Sequence, residues 1–289
     1  TWLPWDTPRP PESDVLIAFR RPALLQEVDN VNHKLLWLWG PASSLNKTTN
    51  QVFLERYVPT IIYVGETHRR GWKPWRHFQE AIVPPGIGEV YLKFEVSQSE
   101  PDPIAIITTH PLHGLDGLLQ LWLDEIRPNN KNAQLHIYSA GLARGKETGD
   151  IAKDLKDLLS KVMKFEISGV LIKPPLSDGA MAKVYGGAKL HLYPIIETEM
   201  YGSTLAESQA TGLPALVRAS EGNVGAIAER VRDGQTGYIA PDDPAFANLA
   251  NNILTEDSDI YRSLHTNALA LQRRRSWLLA AGEFEALWN

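Results

Sequence analysis

Glu199-Met-Tyr-Gly-Ser-Thr-Leu-Ala-Glu207, running on into Ser-Gln-Ala-Thr-Gly212-Leu-Pro214-Ala-Leu-Val217, is the stretch from which the fold of this chain can be read. An apolar run ending in His191-Leu-Tyr-Pro194 enters a loop that carries acids and a glycine. Gly202-Ser203-Thr204 then predicts a helix start, Gly212 its stop, and Pro214 the approach to the next apolar strand, since Ser and Thr cap helix N-termini and Gly follows their last turn. A helix N-terminus at the end of a strand offers free N–H groups and the positive end of the helix dipole, which together form an anion site, most often for phosphate. Glu199 and Glu207 cannot themselves hold a phosphate. They imply hydroxyl groups on whatever carries it.

The 289 residues favour two domains, and 43% hydrophobic residues suffice for two cores. Net charge is −5, and the cations are scattered apart from Arg273-Arg274-Arg275, which argues against a nucleic-acid surface. The absence of cysteine excludes disulfides and thiolate metal sites. No apolar run approaches the roughly 18–20 residues of a membrane span, and no signal peptide precedes Asp14. The expectation is therefore a cytoplasmic protein. Six of the nine tryptophans lie at or before Trp75 (Trp2, Trp5, Trp37, Trp39, Trp72, Trp75), a pattern that fits amphipathic packing or, alternatively, sugar stacking.

Residues 1–13 are too proline-rich for helix or inner strand. Short apolar strands are predicted at Asp14–Arg20, Lys34–Trp39, Thr60–Val64 and Ala81–Ile87, with helical stretches at 23–31 and 51–56 between them; this is the signature of a parallel sheet covered on both faces. The strand count is low, so the first domain is expected to be short or to lack its beginning. Residues 88–103 lose periodicity and gain Pro, Ser and acids, which reads as a linker. A second α/β series follows. Its strands are predicted at Ile104–Ile107, Gln134–Tyr138, 165–172, Ala188–Tyr193, Ala215–Val217 and Tyr238–Ile239. Its helices are predicted at Leu115–Ile126, Asp150–Met163, from Ser177, after Gly202, near Ala226–Arg232, at Pro244–Leu254 and from Asp259 to Leu279, with a loop at Ser139–Gly145.

The second series resembles the donor-binding half of GT-B glycosyltransferases, in particular the retaining enzymes of family 4 (group 1). Their pattern E-x-[FY]-G-x4-E-[AS]-x-A-x-G-x-P stands here as Glu199, Tyr201, Gly202, Glu207, Ser208, Ala210, Gly212 and Pro214. P-x-[KR]-G-x3-L-L is matched by Pro111, His113, Gly114, Leu118 and Leu119. L-x-[IV] with a later glycine is matched by Leu135, Ile137 and Gly141, and D-G-x-T-G by Asp233 to Gly237. The resemblance covers about 104–240. Asp14–Ile17, Leu35–Leu38 and Ala81–Gly86 are similar, more loosely, to the late part of such an enzyme's acceptor-side domain.

The resemblance implies roles for individual residues. Glu207 accepts the ribose hydroxyls of a nucleotide, although Thr204-x-x-Glu207 also reads as a capping box. Glu199 approaches the donor sugar, and Glu197 is surface. The N–H groups at Gly202, Ser203, Thr204 and Leu205 meet the diphosphate, with Tyr201 and Gly114 completing the donor set. His113 occupies a slot usually held by Lys or Arg and assists at the diphosphate, or is simply a turn residue. Ile107 fills a second slot that is often basic. Arg144, in the predicted 139–145 loop, is a substitute cation. Trp39 stands where related chains carry a histidine before an acid, and is expected to stack on sugar on the acceptor side. His68 is either acceptor-side or part of a surface cluster with Arg69 and Arg70. Ala226 replaces a common acid. Asp257-Ser-Asp259 spells the metal signature of the other glycosyltransferase fold but reads as a turn with Asp259 as N-cap, so no metal or other cofactor is expected.

The reading is thus an α/β protein of two Rossmann-like parallel-sheet domains facing a cleft (GT-B), the first incomplete. Residues 1–95 form the acceptor-side domain, 96–272 the donor-binding domain, and 273–289 a C-terminal helix crossing back to the first. The alternative for that helix is a partner or membrane-surface role beside Arg273–Arg275. The implied activity is retaining, metal-independent transfer from a nucleotide diphosphate sugar to a carbohydrate, lipid-linked or small-molecule acceptor, without nucleic acid. Peripheral membrane contact is the alternative to a purely cytoplasmic location. A catalytically inactive nucleotide-sugar-binding subunit is the alternative, and a GT-B epimerase a more distant one.

Overall fold

The structure, a computed structural model, describes residues 4, 6–97, 99–194, 200–219, 226–256 and 258–289. The chain divides into two compact units, 1–86 with 277–289, and 87–276.

In the first unit, β1 (Glu12–Phe19), β2 (Asn30–Trp37), β3 (Thr60–Tyr63) and β4 (Glu80–Ile82) form a parallel sheet in chain order, with α1 (Thr48–Tyr57) and α2 (Glu66–Arg70) in the connections. Alternation along the strands sends Leu36, Ile61 and Tyr63 to one core with Leu25, Leu45, Leu54 and Trp72. It sends Leu35 and Ile62 to a second core with Val83, Ala280 and Phe284. Strands laid down in chain order put successive right-handed crossovers on one face, so the opposite face needs cover from elsewhere. Residues 277–289 supply it.

The second unit contains α3 (Glu89–Leu92), β5 (Ile104–Ile107), α4 (Leu115–Leu121), β6 (Gln134–Tyr138), α5 (Ala140–Thr148), α6 (Lys156–Lys164), β7 (Val170–Lys173) and α7 (Asp178–Gly186). Beyond these come β8 (Leu190–Tyr193), α8 (Ser203–Ala210), β9 (Ala215–Arg218), α9 (Ile227–Arg230), β10 (Gly237–Ala240), α10 (Asp243–Leu254) and α11 (Asp259–Gln272). The six strands are parallel in the order β10-β9-β8-β5-β6-β7. Ala105 and Ile107 face a core built with α4, while Ile106 faces Met181, Tyr185, Ala206 and Ala210. The last helix of the chain, α12 (Trp277–Glu285), belongs to the first unit.

Several local expectations are corrected. The stretch 88–103 is not a free linker: α3 buries Tyr91 against Tyr185, Ile87 N–H donates to Arg275 O at 2.9 Å, and Glu100 pairs with the buried Lys189 and with Arg262. Glu89, Ser97, Ser99 and Glu100 have partners, so polar composition here did not mean a detached linker. The unit boundaries accordingly fall at 86/87 and 276/277 rather than at 95/96 and 272/273. Residues 140–148 form a helix rather than a loop, because Ser139 Oγ caps Leu142 N–H at 3.3 Å and Gly149 ends the helix at φ 75°. The predicted 115–126 helix changes to a π turn at Trp122–Ile126. The predicted 259–279 helix is two, α11 and α12. Ser258, not Asp259, caps α11, accepting from Tyr261 N–H; Asp257 lies outside the described residues.

Candidate functional site

The strand order of the second unit fixes where a ligand can sit. β5, the first strand, lies at the centre, and the chain builds outward from it to β7, then returns to β8 on its other side. Neighbouring connections there leave on opposite faces, and the crevice at the carboxyl ends of β5 and β8 is the usual ligand position in such sheets. The 108–114 loop after β5 and Pro194 after β8 start from these two strand ends.

They are in direct contact. Gly114, at φ 88°, caps α4, and a Cβ placed on it would lie 2.3 Å from Pro194 O. Only glycine lets the backbones approach so closely. His113 N–H donates to His110 O at 2.8 Å, and the two imidazoles lie 5.2 Å apart. Beneath the loops, fully buried His191 joins them: its Nε2 is 3.0 Å from Thr108 Oγ1 and its Nδ1 is 2.8 Å from Ser208 Oγ. Ser208 Oγ donates to Leu205 O, so Nδ1 carries the proton and Nε2 accepts from Thr108. Burial drives the His191 pKa down to about 3, which keeps the ring neutral. The chain Thr108–His191–Ser208–Leu205 therefore ties the end of β5 to the first turn of α8.

The start of α8 differs from its sequence reading. Its N-cap is Gly202 in the left-handed region (φ 68°, ψ 57°), and no side chain caps it. Ser203 and Thr204 are already inside the helix, which rules out the expected capping box. Leu205 N–H donates to Gly202 O at 3.2 Å, and the Ser203 and Thr204 N–H groups are left to water or a ligand. Ser203 and Thr204 are partly exposed and Leu205 is buried. Glu207, half-buried, has no hydrogen-bond partner among the described residues. Its pKa is pushed up to about 7, first by burial and then by the charge of Asp178. Asp178 accepts from Tyr91 Oη at 3.4 Å. The phenols of Tyr91 and Tyr185 are both pushed upward by burial and then by the Glu207 charge, so they remain protonated donors. Asp178, Tyr91 and Tyr185 were missed in the sequence reading. Asp178 read as a helix start and Tyr91 as linker; no local signal points to either.

Tyr201 is buried, with the Arg230 guanidinium 4.2 Å above its ring. Glu199 and Glu197 lie outside the described residues. Arg144 is exposed on α5, where its Nε donates to Asp150 O at 3.3 Å and stands 3.4 Å from the Asp150 carboxylate. In the first unit, His68 is buried rather than part of a surface cluster. Val64 N–H donates to its Nδ1 at 3.4 Å, so its Nε2–H donates to Gly40 O at 2.9 Å. Both ring nitrogens thus serve the unit's own backbone. Trp39 is half-buried within an aromatic group with Phe19 and Trp37, at centroid distances of 5.6 and 5.4 Å. Among the described residues no cluster of His, Cys, Asp or Glu could hold a metal ion, and no helix is long and apolar enough to cross a membrane.

Residues 104–256 match the family described as glycosyl transferases group 1. No curated protein sequence matches the chain. Among solved structures it is similar to sucrose-phosphate synthase from Thermosynechococcus elongatus, at 16% identity and a TM-score of 0.71, over 95% of this chain and 72% of that one. It is likewise similar to HepE from Anabaena, solved with UDP and glucose (13%, TM-score 0.70, 95% and 77%). A third is TarM from S. aureus, solved as a mutant with fondaparinux, alpha-GlcNAc-glycerol and UDP (12%, TM-score 0.69, 95% and 55%). At these identities the structural likeness establishes the α/β fold of paired parallel sheets.

Proposed function

The chain belongs to the group 1 glycosyl transferases, and from that premise we propose that it transfers a sugar, with retention and without a metal, from a nucleotide diphosphate donor to a carbohydrate acceptor. The carrying observation is the close approach of Gly114 to Pro194 at the reversal of the sheet, beside an uncapped helix and a half-buried carboxylate. In this reading the N–H groups of Ser203 and Thr204 hold the diphosphate, the Leu205 N–H being bonded to Gly202 O, and Glu207 accepts two ribose hydroxyls. Tyr91 and Asp178 border the same end of the nucleotide. The C1–O bond to the diphosphate breaks, and a C1–O bond to the acceptor hydroxyl forms on the same face. The hydroxyl proton leaves with the departing phosphate oxygen. Fixed donors at the leaving group act where charge builds in the transition state. Glu199 orients the donor sugar, His113 assists at the diphosphate, and Trp39 offers a stacking surface on the acceptor side. The UDP in the HepE and TarM structures supports a uridine donor as the first to try.

Titration with UDP, GDP and dTDP tests the site; no binding of any of them would overturn the proposal. Release of sugar from a panel of nucleotide sugars then tests transfer chemistry. Binding without turnover of any donor would point instead to a nucleotide-sugar-binding subunit.

A further inference from the structure

The anion site on α8 lacks an obvious counter-charge. The loop facing it from β5, Thr108-Thr-His-Pro-Leu-His113, contains no Lys or Arg, and Arg144 is engaged by Asp150. A diphosphate arriving at Gly202–Leu205 would bring two or more negative charges to a helix end worth roughly half a positive one.

A cation does approach this helix end, from the side opposite the β5 loop in the strand order. Arg230, the last residue of α9, is only 8% exposed. Its Cγ lies 3.7 Å from the position a Cβ on Gly202 would take, and its guanidinium carbon lies 4.2 Å from the ring centroid of Tyr201, the residue before that glycine. Its Nε is buried and has no hydrogen-bond partner among the described residues. Burial disfavours its charged form and outweighs the charges acting on it, of which those of Tyr201 and Glu229 favour the cation and that of Arg275 opposes it. Burial of an arginine with an open donor is costly unless an anion completes it. The cation–π contact with Tyr201 keeps the guanidinium beside the helix end, and the missing side chain at Gly202 gives its stem room.

We propose that Arg230 is the fixed cation of the site and pairs with the diphosphate of a nucleoside diphosphate seated on the α8 N-terminus, in place of basic residues on the β5 loop. This rests on the donor-site reading above. Guanidinium is suited to the task because its fork bonds two phosphate oxygens at once and never loses its charge. Phosphate is gripped through Arg230 and the helix end, ribose through Glu207, and the two grips are separable.

That separation is the test. Binding of UDP, GDP and dTDP and of uridine, guanosine and thymidine is measured by calorimetry on the wild-type chain and on Arg230→Gln. The expected result is a diphosphate-to-nucleoside affinity ratio at least tenfold smaller in the variant, with the affinity for the nucleoside itself unchanged. An unchanged ratio overturns the proposal and makes Arg230 a packing partner of Tyr201. If the wild-type chain binds none of the six, the donor-site reading falls first. Should Arg230→Gln not fold, the Arg230 Nε–H resonance of the wild-type chain, identified by its loss in Arg230→Lys, carries the test. It is expected to shift with the diphosphate and not with the nucleoside. A resonance indifferent to both overturns the proposal.

Discussion

In the second unit the chain reverses direction across its sheet between β7 and β8, while in the first unit β1 to β4 follow one another in a single sense. Both sheets are parallel, short-stranded and packed on two faces, yet their strand ends differ in what they leave undone. At the ends of β2 and β3 in the first unit, the buried histidine spends both ring nitrogens on backbone of its own unit, and the tryptophans pack on one another. At the ends of β5 and β8 the corresponding groups are left short: an uncapped helix, a carboxylate with its pKa near 7, a buried guanidinium Nε and a buried Thr109 Oγ1 without partners among the described residues. Unpartnered polar atoms alone do not separate the two, since Trp37 Nε1 at the end of β2 is also buried without a hydrogen-bond partner among the described residues. What differs is that the second unit gathers an uncapped helix end, a carboxylate of raised pKa and a buried cation. A reversal of strand order provides the crevice beside which they gather.

The comparison breaks first at the glycines. Gly114→Val puts a side chain into Pro194 O and a β-branched residue at φ 88°. The expected loss is about 2–5 kcal/mol of stability by denaturant titration. Gly40→Ala in the first unit, where a Cβ would meet nothing within 4 Å, is expected to stay within about 0.5 kcal/mol. Equal losses would mean that the two loop sets are packed alike.

The carboxylate sharpens it next. Glu207→Gln is expected to weaken nucleoside diphosphate binding about tenfold, from the loss of charge-assisted bonds to ribose. Its raised pKa also sets a pH dependence. Between about 4.5 and about 7 the folded chain holds a proton that the unfolded chain releases. The free protein therefore keeps that contribution at low pH and loses it as pH rises through about 7. Ribose hydroxyls need the ionised form, so affinity should increase from about pH 6 to about pH 8 in the wild type and be flat in Glu207→Gln. A wild-type affinity independent of pH would place the ribose elsewhere.

Ser208→Ala leaves the His191 Nδ1–H unpaired and is expected to cost about 1 kcal/mol or somewhat more. His68→Phe removes the bonds to Val64 N–H and Gly40 O and should cost a similar amount. Only the former is expected to weaken nucleotide binding, because only His191 ties into the first turn of α8. A shift in nucleotide affinity with His68→Phe would erase the distinction between the two histidines. Least of all should follow from Arg144→Ala: under about 0.5 kcal/mol in stability and less than twofold in affinity, as for an exposed ion pair.

Some of this was legible without coordinates, and the pattern is instructive. Gly202 and Gly212, the short apolar runs and the acids at 199 and 207 were readable because each reflects a requirement local to a few residues: a positive φ, a strand's alternation, a helix end. The Ser139 cap was local too but was overlooked, because the glycines on either side of Leu142–Arg144 suggested a loop. What stayed hidden arises from partners distant in sequence. Tyr91 meets Asp178 across 87 positions, Thr108 meets His191 across 83, and Arg230 reaches the Tyr201 ring from another helix.

The sequence by itself therefore determined the strand and helix of this unit and the family, and singled out the helix end proposed as an anion site. Only the tertiary structure decided what surrounds that end. Desolvation and unpaired charge are properties of the packed whole, and they turn Glu207 from an ordinary surface acid into a group that titrates near neutrality.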